Sequence, residues 1–138
     1  MQSEPSVNHA TARRLMRALE SGTHGEELRS FFHPSVEQVE YPSLVAPTVG
    51  RRGLDAMIEA SAAGVGLLRS QRYREVRAVE SGDDLVLQLE WHAVLAVPLG
   101  AVPEGAELHT YSVLSLGFED GLIRRIEAYD CYDPLPTA

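Results

Sequence analysis

The chain has 138 residues, 44% of them hydrophobic and 23% charged, which is the composition of one globular domain spanning residues 1–138. No apolar run approaches the ~20 residues of a membrane span, no secretory signal is visible, and one cysteine forms no internal disulfide, so a cytoplasmic protein is expected. The formal net charge of −8, with only scattered arginines as basic residues, excludes nucleic acid and membrane surfaces as predicted partners.

The N-terminal half predicts helices with one strand among them. The segment NHATARRLMRALES carries apolar residues at i, i+3, i+4 and i+7 counted from Ala12, the spacing of one helix face. Thr23 and Glu26 form a capping box for a second, short helix, which Pro34 ends. The predicted elements are, in order, a helix over 8–21, a short helix over 23–33, a strand over 36–41 and a helix over 54–68.

From residue 71 onward the apolar pattern changes to a period of two, which is typical of strands. The predicted strands cover residues 71–81, 85–97, 108–118 and 122–132, each joined to the next by a turn or a short loop. Helices followed by such a meander predict an α+β fold, with three N-terminal helices on one face of a curved antiparallel sheet.

Alternation along the long strand assigns its two faces. Leu85, Leu87, Leu89 and Trp91 share the more apolar face, which is expected to point toward the core. Symmetric pairing about the hairpin loop then predicts four cross-strand pairs: Leu85 with Leu116, Leu87 with Leu114, Leu89 with Ser112, and Trp91 with Thr110. The inner face of the next strand is therefore predicted to carry two hydroxyl groups.

The last strand is assigned by the same rule. Ile126, Ala128 and Asp130 alternate with Glu127 and Tyr129, and the first set is the more apolar. Asp130 is therefore predicted to point inward.

The stretches RALESG, VGRRGLDAMIEA, EVRAV and DGLIRRIEAYDCYDP together resemble the nuclear transport factor 2-like superfamily. This superfamily includes ketosteroid isomerases, SnoaL-type polyketide cyclases and limonene-epoxide hydrolases. The resemblance implies a cone-shaped sheet with the helices on its concave face, a deep apolar pocket, and a homodimer formed through the outer sheet face.

Carried over position by position, the resemblance argues against steroid isomerisation. The isomerases have a carboxylate before the proline that ends the first strand, a tyrosine in helix one and a protonated acid in the third meander strand. The matching residues here are Tyr41, Leu15 and Leu114. Glu40 would supply the carboxylate only if the first strand shifted by one residue.

The closing YDCYD resembles the strand-final motif of the epoxide hydrolases, in which the aspartate at the place of Asp130 helps to activate water. The Arg-x-Asp pair that completes that site has no match at the inward residues Leu89 and Trp91. Glu90 and His92 would occupy those places after a shift of one residue, but the apolar alternation argues against that shift.

Asp130 is the predicted catalytic acid or base, because a carboxylate on an apolar wall loses hydration and its pKa rises toward neutrality. The alternative is a structural Asp130 that accepts hydrogen bonds from an arginine or a helix N-terminus. Tyr41 is predicted to assist as a phenolic donor, and Asp133 is interpreted as a solvent-facing cap.

Ten further residues are predicted to shape the ligand-binding pocket: Leu15, Phe32, Met57, Leu89, Trp91, Thr110, Ser112, Leu114, Ile126 and Ala128. Each also has a plain structural interpretation. Aromatic and aliphatic side chains fill cores without a ligand, and buried hydroxyl groups commonly bind nearby backbone.

No metal site and no cofactor is predicted. His92 and His109 are expected as outer-face neighbours near Glu90, without a clear third ligand. Cys131 is interpreted as a small buried or interface residue. Two functions remain open: a cofactor-independent isomerase, cyclase or epoxide hydrolase acting on a small apolar oxygenated molecule, and a non-catalytic module of the same fold that binds such a molecule or a protein.

Overall fold

A computed structural model describes residues 4–137 of the chain. In order, the elements are helix α1 (Val7–Glu20), a 3-10 helix (Gly25–Phe31), β1 (Phe32–Glu40), β2 (Gly50–Arg52), α2 (Leu54–Ala63), β3 (Leu68–Ser81), β4 (Asp84–Leu95), β5 (Glu107–Glu119) and β6 (Leu122–Tyr132). The predicted α+β class is confirmed, with three helices and one curved, open sheet of six strands.

The sheet has the strand order β2-β1-β6-β5-β4-β3. Strands β3 to β6 form the predicted antiparallel meander, but β1 lies parallel to β6, so the sheet is mixed and not wholly antiparallel. The parallel pair arises because the chain leaves β1, the second strand from one edge, and passes through β2 and α2 to the opposite edge at β3. Strand β2 was not predicted, because a strand of three residues is too short to show an alternating pattern.

The predicted hairpin register is confirmed. Trp91 pairs with Thr110, and Leu85 pairs with Leu116, as the alternation indicated. Leu85, Leu87 and Leu116 are completely buried. They belong to one apolar cluster with Leu15 and the rest of the buried face of α1, so this helix packs on the inner face of the meander.

The second and third helices differ from their predictions. The 3-10 helix begins after His24, whose side chain makes no capping bond, so the Thr23–Glu26 box does not start it. Helix α2 ends at Ala63, and Gly66 adopts a φ of +89°, a left-handed conformation that glycine tolerates and that turns the chain into β3. Within residues 4–137, no helix is both long enough and apolar enough to cross a lipid bilayer.

Candidate active-site cavity

A cavity of about 260 Å³ lies between helix α1 and the inner face of strands β3 to β6. Its wall is largely apolar, with a few polar side chains contributed by β1, β5 and β6, among them Glu40, Ser112 and Asp130. Eight of the predicted site residues line it: Leu15, Leu89, Trp91, Ser112, Leu114, Ile126, Ala128 and Asp130. The alternation that assigned the inward faces of β4, β5 and β6 is what brings them together.

The remaining predicted ligand-binding residues lie beside this cavity and not on its wall. Phe32 and Met57 line a neighbouring recess of about 450 Å³, which shares Leu15 and Ile126 with the cavity. Thr110 is 1% exposed and does not line the cavity.

Asp130 is tied to the inner face of β5 by a chain of hydroxyl groups. The Ser112 hydroxyl donates to Asp130 Oδ1 over 2.7 Å, and the oxygens of Thr110 and Ser112 are 2.7 Å apart. When Asp130 is ionised it can only accept, so Ser112 donates to Asp130 and Thr110 donates to Ser112. This chain orients one carboxylate oxygen.

In the part of the chain that the structure describes, Asp130 forms no ion pair with an arginine or a histidine. The structural alternative, in which an arginine holds Asp130, therefore has no counterpart among residues 4–137. An acid of this kind, on a mostly apolar wall and held by neutral hydroxyls, is chemically available to a ligand.

Three aromatic side chains line the same cavity as the acid. The ring of Trp91 meets that of Tyr132 edge-on, with centroids 6.4 Å apart, and its Nε1 donates to Gln71 Oε1 over 3.0 Å. Burial raises the pKa of Tyr132 to about 12, with further increases from the charges of Asp130 and Glu40. Burial, followed by the charge of Asp130, also raises the pKa of Tyr73. Both phenols therefore remain protonated donors near neutral pH.

The raised pKa of Tyr132 predicts a loss of stability in alkali. Below the ordinary tyrosine pKa of 10.0, both the folded and the unfolded chain keep the phenol protonated, so its full contribution is present. Between pH 10 and 12 the unfolded chain loses this proton first, and the free energy of unfolding falls. Urea denaturation at pH 9 and pH 11 measures the fall, which should be smaller in Tyr132→Phe; an equal fall in that variant would contradict the assignment.

Glu40 is a second carboxylate on the cavity wall. Strand β1 pairs with β6 so that Glu40 lies beside Ala128, and Arg52 Nη1 lies 3.2 Å from both Glu40 Oε1 and Gln38 Oε1. Within VEQVE, Gln38 and Glu40 line the cavity and Glu37 is exposed, so this strand presents polar side chains to the cavity where β4 presents apolar ones. Glu40 was expected at the site only with a shifted register. Tyr73 and Tyr132 were not predicted, although Tyr132 lies two positions after Asp130 and so on the same face of its strand, and Tyr73 has the same relation to Gln71.

Tyr41 requires a correction. Its hydroxyl donates to Glu127 Oε2 over 3.0 Å, and its ring stacks on Tyr129 with centroids 4.5 Å apart. Because Gln38 and Glu40 face the cavity, the next residue points to the outer face. Tyr41 is not among the residues that line the cavity and is not available as its phenolic donor.

The outer face of the meander holds the residues that alternate with the cavity wall. Glu90 and His92 lie there, on the face turned away from Leu89 and Trp91, as the unshifted register predicted. Cys131 is exposed on the same face, so it is not buried in the single chain, and its interpretation as an interface residue stays a prediction.

The family model for the SnoaL-like domain matches residues 12–126. The chain belongs to the SnoaL-like domain family. The resemblance to nuclear transport factor 2-like proteins is thereby confirmed for most of the SnoaL-like chain, although the match ends before Asp130. A search of curated proteins found no match.

Solved structures with the same fold include SnoaL-like proteins of low sequence identity. A putative SnoaL-like polyketide cyclase from Jannaschia sp. CCS1 is 17% identical, with a TM-score of 0.72 over 94% of this chain and 91% of that one. IdmH, a putative polyketide cyclase from Streptomyces antibioticus, is 16% identical, with a TM-score of 0.72 over 89% and 91%. TerC, co-crystallised with polyporic acid, is 22% identical, with a TM-score of 0.66 over 91% and 92%. At these identities the comparison shows the fold.

Proposed function

We propose that this SnoaL-like protein is a cofactor-independent enzyme that applies general acid/base chemistry to a small, largely apolar, oxygenated molecule. Isomerisation, cyclisation and epoxide opening are the reaction classes that such chemistry serves. The observation that carries the proposal is Asp130, which lies on the cavity wall with a neutral hydroxyl as its hydrogen-bond donor.

The proposed roles follow from the positions of the polar groups. Asp130 takes a proton from a carbon next to a carbonyl, or from a water molecule that attacks the substrate. The protonated phenols of Tyr73 and Tyr132 lie near Asp130, since its charge acts on both, and one of them donates to the oxygen on which negative charge develops. Trp91 and Leu89 supply an apolar surface for the carbon skeleton.

The size of the site limits the substrate. A cavity of about 260 Å³ is at the small end of ligand pockets, which commonly span ~300–1,000 Å³, and the adjoining recess extends it. This volume suits a compound of one or two rings with few polar groups. The cyclase descriptions of the Jannaschia and Streptomyces proteins, and the polyporic acid of TerC, support this class of ligand.

Proton abstraction can be tested before the physiological substrate is known. The two-ring ketone 2-tetralone exchanges its α-hydrogens for deuterium in D₂O, and proton NMR follows the rate. We expect the protein to accelerate this exchange, and tetralin, which lacks the carbonyl, to inhibit it by competition. No acceleration across a panel of small ketones would contradict proton abstraction.

The alternative function, a binding module without chemistry, makes a different prediction in the same assay. Trp91 on the cavity wall donates to Gln71, which lines the adjoining recess, and a passive pocket also requires that its polar groups be paired in this way. Trp91 is the only tryptophan and lines the cavity, so its fluorescence reports ligand binding directly. Quenching by 2-tetralone without any exchange would favour the binding module.

We also propose that the protein forms a homodimer through the outer sheet face. Val86, Tyr111 and Tyr129 expose 40%, 53% and 44% of their surfaces there, which is apolar area that a second copy would cover. Light scattering coupled to size exclusion should give the mass of two chains, and Val86→Glu should reduce it to one. Val65→Glu, at a 55% exposed valine beyond α2, is the matched control and should leave the dimer intact; a monomeric wild-type protein would contradict the proposal.

A further inference from the structure

On the outer face, His109 lies between two carboxylates. Its Nδ1 is 2.6 Å from Asp133 Oδ2, and its Nε2 is 3.0 Å from Glu90 Oε1. A neutral imidazole has one N–H and can donate to only one of these acids. The other nitrogen then turns its lone pair toward a carboxylate oxygen, which is repulsive unless a cation lies between them.

A second imidazole completes the group. The ring of His92 stacks on that of His109, with centroids 4.2 Å apart and planes 10° from parallel. One ligand atom each from Glu90, His92 and His109 lies within 4.8 Å of the other two. In a tetrahedral zinc site with bonds of about 2.0–2.1 Å, ligand atoms are separated by about 3.3 Å. The two rings are stacked nearly parallel, so one imidazole must turn before both nitrogens point at one ion.

We propose that Glu90, His92 and His109 form a binding site for a divalent transition-metal ion of the zinc class. Two imidazoles and one carboxylate are a donor set that zinc uses, and in the single chain a fourth position stays open to water. The site lies on the face where the second copy of the proposed dimer would pack, beside Tyr111. The site departs from the expectation of no metal, which rested on the lack of a clear third ligand. The structure supplies that ligand as Glu90 and adds a partner for the other nitrogen of His109.

Asp133 acts as the positioning residue of this site. A metal-bound histidine usually donates its free N–H to a carboxylate, which fixes its tautomer and its ring orientation. Asp133 makes this contact with Nδ1 of His109, and its own backbone N–H donates to the carbonyl oxygen of His109 over 3.0 Å. Asp133, which the sequence predicted to be a solvent-facing cap, thus contacts His109 through both its side chain and its backbone.

Arg74 opposes the metal. It forms an ion pair with Glu90, the carboxylate that the metal would bind. Its guanidinium therefore competes with the metal for the same oxygens and keeps the affinity below that of the bare donor set. Removing Arg74 should strengthen metal binding, whereas a site of scattered surface histidines would show no such effect.

Isothermal titration of the full chain with zinc chloride, in a buffer that does not chelate, tests the proposal. We expect saturable binding of one zinc ion per chain. Cobalt(II) in place of zinc should give visible absorption bands that report nitrogen and oxygen ligation. His109→Gln should abolish binding, Asp133→Asn should weaken it about 10–100-fold, and Arg74→Gln should tighten it.

The controls separate this site from non-specific binding. His33 lies near Glu119 and Asp120 in another possible metal group, and His33→Gln should leave the zinc isotherm unchanged. Circular dichroism verifies that each variant is folded, and if His109→Gln fails to fold, Asp133→Asn and Arg74→Gln decide. The proposal is overturned if the wild-type chain shows no saturable zinc binding, or if binding is the same in folded His109→Gln.

Discussion

Replacing Asp130 with asparagine should lower the rate of deuterium exchange into 2-tetralone about 100-fold or more. General acid/base catalysis by a positioned side chain typically contributes ~10²–10⁴-fold, and an amide cannot accept the proton. Asparagine has nearly the same shape as aspartate and keeps an oxygen to accept from Ser112. Proton NMR of the exchange, at matched protein concentration, measures the loss.

The same variant should still bind the ligand. Quenching of Trp91 by tetralin should be little changed in Asp130→Asn, because tetralin makes only apolar contacts with the cavity. Asp133→Asn is the matched control, since Asp133 lies three residues further along and contacts His109 on the outer face. If exchange in Asp130→Asn equals that of the wild-type protein, Asp130 is not the base and the proposed chemistry is wrong.

Leu85→Ala should reduce the free energy of unfolding by about 2–5 kcal/mol. Leu85 is completely buried and pairs with Leu116, which is also completely buried, so truncation removes apolar contacts and leaves a cavity. A loss of this size is a large share of the stability of a typical domain, ~5–15 kcal/mol. Urea denaturation followed by circular dichroism gives the value directly.

An exposed valine of the same sheet provides the comparison for this core substitution. Val79 on β3 is 61% exposed, and Val79→Ala should change the free energy of unfolding by no more than about 0.5 kcal/mol. Similar losses in Leu85→Ala and Val79→Ala would contradict the assignment of inner and outer faces on which the cavity depends.

The meander could be predicted from the sequence because apolar and polar residues alternate along its strands with few exceptions. In β4, four apolar residues from Leu85 to Trp91 occupy every second position, and a shift of one residue would bury Gln88 and Glu90. The same parity extended to Ser112 and Asp130, and it assigned the part of the cavity wall that β4, β5 and β6 form.

The first strand could not be assigned in this way. Its residues Gln38 and Glu40 face the cavity although they are polar, because the wall there contacts a chamber and not a packed core. Hydrophobic alternation reports burial against apolar neighbours, so it misassigns a strand whose inner face is lined with functional groups. Glu40 was therefore considered only with a shifted register, and Tyr41, at the position that matches the isomerase carboxylate, was predicted to assist.

The parallel pairing of β1 with β6 has a consequence for biosynthesis. Strands β3 to β6 pair with neighbours in sequence, whereas β1 precedes its partner β6 by the whole meander. Until the ribosome has produced β6, Glu40 has no Ala128 to lie beside and the cavity has no Asp130. The nascent chain therefore carries helix α1 and strand β1 well before the acid side of its ligand chamber exists.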